Sequence, residues 1–147
     1  EFLQEIRDSR SKNNYEIKIS QTPNVLLKVN KFTFRELFIQ LIDNAESHGF
    51  EPNDSNKKYK IEFMIKENKD KDFVEIIYSN NGKPFNFTKE MFITAYKKSK
   101  QSKGTGLGGN YIYRVLQGHN GEFDILERQE GVKMRFIFPK GVNYYEK

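Results

Sequence analysis

Residues 32–49 read FTFRELFIQLIDNAESHG. Phe34, Leu37, Phe38, Leu41, Ile42 and Ala45 keep the i, i+3, i+4, i+7 rhythm of a helix with one apolar stripe. Thr33 and Glu36 have the T-x-x-E spacing of a capping box, and Phe32 and Leu37 are placed for a hydrophobic staple. The stretch therefore predicts a helix that starts at Thr33 and stops at Gly49. Each helical residue turns the chain by about 100°, so Gln40, Asn44 and His48 form a second row along the flank of the stripe. Polar groups on such a border are half-buried and aim at whatever lies beside the core.

Working outward, Glu1 to Arg10 reads as helical, with Phe2, Leu3 and Ile6 on one side. Tyr15, Ile17 and Ile19 alternate with Glu16 and Lys18, the period of a strand. A turn containing Pro23 separates them from a second alternating set, Val25, Leu27 and Val29. Downstream, Tyr59 to Lys66 and Phe73 to Ser79 predict two strands joined by NKDKD. SNNGKPF follows, then a helix around Lys89 to Tyr96, the lysine run KKSKQSK and the glycine cluster KGTGLGG. That cluster opens a helix containing Ile112, Val115 and Leu116, which closes near Gly118. Two final strands, Glu122 to Glu127 and Val132 to Phe138, flank RQEG. Hairpins mixed with amphipathic helices predict an α+β two-layer sandwich: a mixed, mostly antiparallel sheet with helices on one face. Residues 1–14 are expected to form a helical segment, the end of an upstream domain, and residues 15–147 the domain proper. The opening at Glu1 without Met predicts a piece of a longer protein.

Composition removes several function classes. With 147 residues the chain suits one domain. Its aromatic content of 14% can close a core, which excludes a disordered polyampholyte despite 31% charged residues. No apolar run approaches the roughly 20 residues that a membrane helix needs. Zero Cys excludes a disulfide scaffold, a thiolate zinc site and a cysteine nucleophile together. A net charge of +5 fits a basic surface, but no RNP-like aromatic pattern or recognition helix accompanies it, so nucleic acid is not the expected partner. Only two histidines are present, His48 and His119, and no nucleophile elbow or metal-ligand spacing surrounds them. The glycine cluster is more informative. Glycines at a helix entrance let backbone N–H groups approach an anion, although no G-x-x-x-x-G-K-[ST] is present.

The conjunction of LIDNAESHG, NNGKP, GTGLGG and a following HNGEFDI, in that order, resembles the superfamily of gyrases, heat-shock chaperones, histidine kinases and mismatch-repair ATPases. The resemblance covers Tyr15 to Pro139 and is closest to the ATP-binding catalytic domain of histidine kinases, which has the Bergerat fold. It implies ATP and Mg²⁺ as ligands. Asn44 matches the asparagine whose side-chain oxygen completes the Mg²⁺ shell. Ser47 and His48 fall where relatives carry Lys or Arg and His near the phosphates, Ser47 without the charge. Gln40 stands where the chaperone and gyrase branch has a Glu that activates water; an amide cannot accept that proton, which implies poor intrinsic ATPase activity.

Asn80 replaces the Asp that accepts a hydrogen bond from the adenine amino group, followed by Gly82, Lys83 and Pro84 in place of the second glycine. An amide also offers donors, so relaxed preference between adenine and guanine is one expectation for position 80. Gly104, Gly106 and Gly108, with Thr105 and Leu107 between them, match the second glycine box. Lys103 closes the lysine run where the ATP lid sits in relatives. The resemblance further implies transfer of the γ-phosphate to a histidine in another domain, an upstream helical hairpin, two-component signalling and a cytoplasmic site. Three other readings stay open: an anti-sigma-type serine kinase, a nucleotide-sensing ATPase module of a larger machine, and a degenerate nucleotide-binding module.

Overall fold

Alternating burial along five segments builds a single sheet. Strands β1 (Tyr15–Gln21), β2 (Tyr59–Asn68), β3 (Phe73–Asn80), β4 (Glu122–Leu126) and β5 (Val132–Pro139) lie in the order β1-β2-β3-β5-β4. The computed structural model describes residues 2–9, 15–21, 31–50, 58–68, 70–83, 115–126 and 130–140, together with Glu90 and Ile112. β1 runs parallel to β2, with Ile17 opposite Ile61. The other three pairings are antiparallel, and register sets Phe63 opposite Tyr78 and Ile76 opposite Phe136. Because side chains alternate across a strand, Ile61, Phe63, Val74, Ile76, Tyr78, Phe123, Met134, Phe136 and Phe138 all reach one buried face. The mixed, mostly antiparallel sheet is the one the sequence predicts.

Helix α2 (Lys31–Asn44) lies over that face and buries Phe34, Leu37, Phe38, Leu41 and Ile42. Its aromatic rings meet the sheet edge-on, Phe38 against Phe63 at 5.3 Å and Phe34 against Phe138 at 5.0 Å, an arrangement that aromatic quadrupoles favour. Helix α1 (Phe2–Ser9) packs on α2 and β1 and sends Ile6 into the same core. Ile112, Val115 and Leu116 complete it. The opposite face of the sheet is mixed: Met64, Phe73, Ile77 and Ile137 are interleaved with charged side chains, including the ion pair of Arg135 with Glu75 across β5 and β3. Among the described residues, no helix is long and apolar enough to cross a membrane.

The start of α2 differs from the expectation. Winding begins at Lys31, so Thr33 lies in the first turn and not at the cap. Phe32 is 72% exposed and staples nothing. The reason is angular: two residues before Phe34 lies about 200° round the helix, opposite the apolar stripe. The end differs as well. After Asn44 the chain widens into a π-helical turn, Ala45–Gly49, closed by Phe50 N–H to the Ala45 carbonyl at 2.9 Å. The row of Gln40 and Asn44 is thus α-helical, and position 48 falls on the wider turn that follows it. The strand expected at residues 25–29 falls outside the described residues, as do the helix at 89–96 apart from helical Glu90 and the start of the helix that ends near Gly118.

Candidate functional site

Two segments distant in sequence meet where α2 ends and β3 ends. The chain leaves β3 through Asn80, Asn81, Gly82 and Lys83, and each position has a different fastening. Asn80 is buried, and its Oδ1 accepts from Gly82 N–H at 2.9 Å while its Nδ2 donates to Tyr78 Oη at 2.8 Å. Tyr78 Oη in turn donates to the Leu41 carbonyl of α2 at 3.0 Å. Asn81 turns the other way, to β2: its Oδ1 accepts from Lys60 N–H at 2.7 Å, and its Nδ2 donates to the Lys58 carbonyl at 2.9 Å.

Gly82 presses against Gly49 at the end of the π-helical turn. A Cβ on Gly82 would stand 2.5 Å from the Gly49 carbonyl oxygen, closer than real atoms pack, so only glycine fits there. Lys83 N–H then donates to that same carbonyl at 2.8 Å. From behind, Gly131, with φ +74°, lies against the Asn80 carbonyl, where any side chain would overlap it. The turn after β3 is thus gripped by α2, β2 and the start of β5 at once.

These contacts place several of the sequence-derived site residues. Gln40 and Asn44 are half-buried on α2, one turn apart, and Asn44 makes no side-chain cap bond to the turn that follows it. Asn80 and Gly82 are buried at the end of β3, and the Lys83 side chain is exposed. Ser47 and His48 lie on the π-helical turn, whose backbone is described and whose side chains at those two positions are not. Lys103, Gly104, Thr105, Gly106, Leu107 and Gly108 lie outside the described residues. π-Helical turns inside helices recur at functional sites, and here the turn carries Gly49 up to Gly82.

Three participants were not singled out from sequence: Tyr78, Asn81 and the Leu41 carbonyl. Tyr78 carried a usable signal, since it is a hydroxyl on the inward-facing register of β3, where a polar tip needs a partner. Burial pushes its pKa above the ordinary value, the bond from Asn80 opposing this weakly, so the phenol stays neutral. Beside the π-helical turn, Tyr15 donates to Glu46 and packs on Phe50, which stacks on Tyr59 at 4.4 Å. This aromatic brace fixes the far side of the turn.

The ligands implied by the resemblance suit this donor set. Asn80 is a buried amide that commits one N–H and one lone pair among the described residues, which suits hydrogen bonding to an uncharged ring. Among the described residues, no three His, Cys, Asp or Glu side chains gather as a protein-only metal site. Asn44 offers one neutral oxygen, the contribution expected for Mg²⁺ that takes its other ligands from phosphates and water.

A five-stranded mixed sheet covered on one face by helices, with this arrangement, defines a histidine kinase-like ATPase fold. Solved structures that share it include catalytic domains of histidine kinases. A nucleotide-free form of the ThkA histidine kinase catalytic domain matches with a TM-score of 0.70 at 19% identity, over 95% of this chain and 89% of that one. The histidine kinase domain of the E. coli osmosensor EnvZ matches with 0.65 at 16%, over 99% and 88%. The histidine kinase domain of a blue-light-activated kinase from Erythrobacter litoralis matches with 0.62 at 11%, over 93% and 57%. At these identities the likeness is one of fold. No protein-family model and no curated protein matches the chain.

Proposed function

We propose that the chain is the ATP-binding catalytic domain of a histidine kinase-like protein, which binds ATP with Mg²⁺ and passes the γ-phosphate to a histidine on another domain. The observation that carries this reading is the junction of Gly49 and Gly82, which brings the Asn44 helix end and the Asn80 turn to one place in a fold shared with such domains. Asn80 would face the base, and Gly82 and Lys83 would line the same edge. Asn44, with Ser47 and His48 on the turn after it, would lie toward the phosphates. Lys103 and the backbone of Gly104 to Gly108, with Thr105 and Leu107, would close over them.

Asn44 would hold the Mg²⁺, which when bound would supply charge to neutralise the phosphates. The chain's own share is to bind and orient, since phosphoryl transfer needs positioning more than covalent help. Gln40 offers an amide where water activation would need a carboxylate, so transfer to a partner histidine is favoured over hydrolysis. The reading extends to a phosphoacceptor domain as partner, to two-component signalling and to the cytoplasm, where ATP is available.

Calorimetric titration with ATP and Mg²⁺ tests the proposal. Wild type should bind, and Asn44→Ala should weaken binding by about tenfold, one ligand oxygen's worth of about 1.4 kcal/mol. Wild type that takes up no nucleotide would sink it. One observation favours a second reading, a degenerate binding module: Asn80 holds an amide where relatives hold a carboxylate. That reading predicts binding without phosphotransfer to any histidine-bearing helical hairpin supplied in the assay.

A further inference from the structure

An amide has two N–H donors and two oxygen lone pairs. Asn80, 3% exposed, commits one of each, to Tyr78 Oη and to Gly82 N–H. Among the described residues its second N–H and second lone pair have no partner, although a buried amide ordinarily finds one. The direction of every bond is forced. Gly82 N–H can only donate, so it meets the oxygen. The Leu41 carbonyl can only accept, so the Tyr78 hydroxyl proton points to it, at 3.0 Å. The hydroxyl is then left with lone pairs toward Asn80, which only an N–H satisfies. Turning the amide over would set N–H against N–H at Gly82 and oxygen against oxygen at Tyr78.

The two ends of the amide also face different surroundings. A Cβ built on Gly49 would lie 3.8 Å from Asn80 Oδ1, so the oxygen borders the glycine junction. The nitrogen is turned toward buried Tyr78. We propose that Tyr78 is a specificity-determining positioning residue: by donating to Leu41 it joins Gly82 N–H in locking the Asn80 amide with its oxygen toward the Gly49–Gly82 junction, so that the site selects a purine nucleotide with an exocyclic amine, ATP, over one with a carbonyl there, GTP. This rests on the nucleotide reading above. A freely turning amide would serve either base, donor to one and acceptor to the other; the lock withdraws that freedom.

The test is a calorimetric comparison of ATP and GTP, each with Mg²⁺, on the whole chain. Wild type is expected to prefer ATP by about tenfold or more, and Tyr78→Phe, which keeps the ring, to reduce that ratio by about threefold or more. Asn80→Asp in the Tyr78→Phe background should restore the preference, because a carboxylate presents oxygen whichever way it turns; a merely structural role for Tyr78 predicts no such rescue. Should Tyr78→Phe fail to fold, Asn80→Ala provides the second variant and should bring the ratio near one. Equal binding of ATP and GTP by wild type, an unchanged ratio in Tyr78→Phe, or no rescue overturns this inference alone. Binding of neither nucleotide overturns the proposed function, and this inference with it.

Discussion

Strand β3 begins and ends in turns of similar composition that behave differently. Before it, Asn68 caps Lys71 N–H at 3.0 Å, three residues away and exposed to solvent, and Asp72 takes a left-handed φ of 56°. After it, Asn81 bonds backbone groups of β2 more than twenty residues away in sequence, and Asn80 reaches Tyr78 and through it α2. The first turn keeps its side-chain bond local, as turns with Asn and Asp do, and reaches the end of β5 through one backbone bond, Lys140 N–H to the Asp72 carbonyl at 2.9 Å. The second is held by three other elements and has little conformation of its own to choose. An asparagine costs little to replace in the one setting and much in the other, since a lost bond is expensive where water cannot substitute for it.

That contrast is open to measurement. The largest effect belongs to Gly82→Val, whose Cβ would meet the Gly49 carbonyl at 2.5 Å. Denaturant unfolding should show about 3 kcal/mol of destabilisation, the upper range for overpacking, with nucleotide binding lost in titration. The matching change at the other turn, Asp72→Gly, relieves a left-handed residue and should shift stability by no more than about 0.5 kcal/mol. A Gly82 variant as stable as the Asp72 variant would erase the distinction.

Asn81→Ala comes next, at about 1.5 kcal/mol, chiefly for the half-buried bond from Lys60 N–H of β2, since the bond to the Lys58 carbonyl before β2 is exposed to water. A pH titration of stability adds about 1.4 kcal/mol per pH unit from Tyr78. Its folded pKa lies above its ordinary value of 10.0. Its contribution is therefore complete below pH 10.0 and is lost as the pH climbs toward the raised folded value, because the unfolded phenol ionises first. Wild type should lose stability more steeply than Tyr78→Phe in alkali; parallel curves would show the hydroxyl to be solvated. The smallest effect is expected for Asn68→Ala, at about 0.5 kcal/mol, read as a slight shift in the unfolding midpoint.

Elements with strong periodicity were legible before any coordinates. The stripe from Phe34 to Ala45 and the alternation through Ile61 and Phe63, and through Val74, Ile76 and Tyr78, all turned inward as their spacing demands. Local signals at the helix start misled. Thr33 and Glu36 have capping spacing, but winding from Lys31 placed Thr33 inside the first turn and left Phe32 in solvent. The site was half visible: Asn44, Asn80 and Gly82 could be picked out by resemblance, while Tyr78 looked like one more inward aromatic on a strand.

Among the described residues, what sequence determined by itself was which segments alternate or wind and the face each one buries, because period and side-chain size act within a few residues and need no distant partner. Tertiary structure alone decided that β1 would pair parallel to β2, that the helix would widen after Asn44, and that Gly49 would meet Gly82. The first and last of these bring together backbone groups more than thirty residues apart, and a carbonyl or an N–H is the same in every residue that could have supplied it.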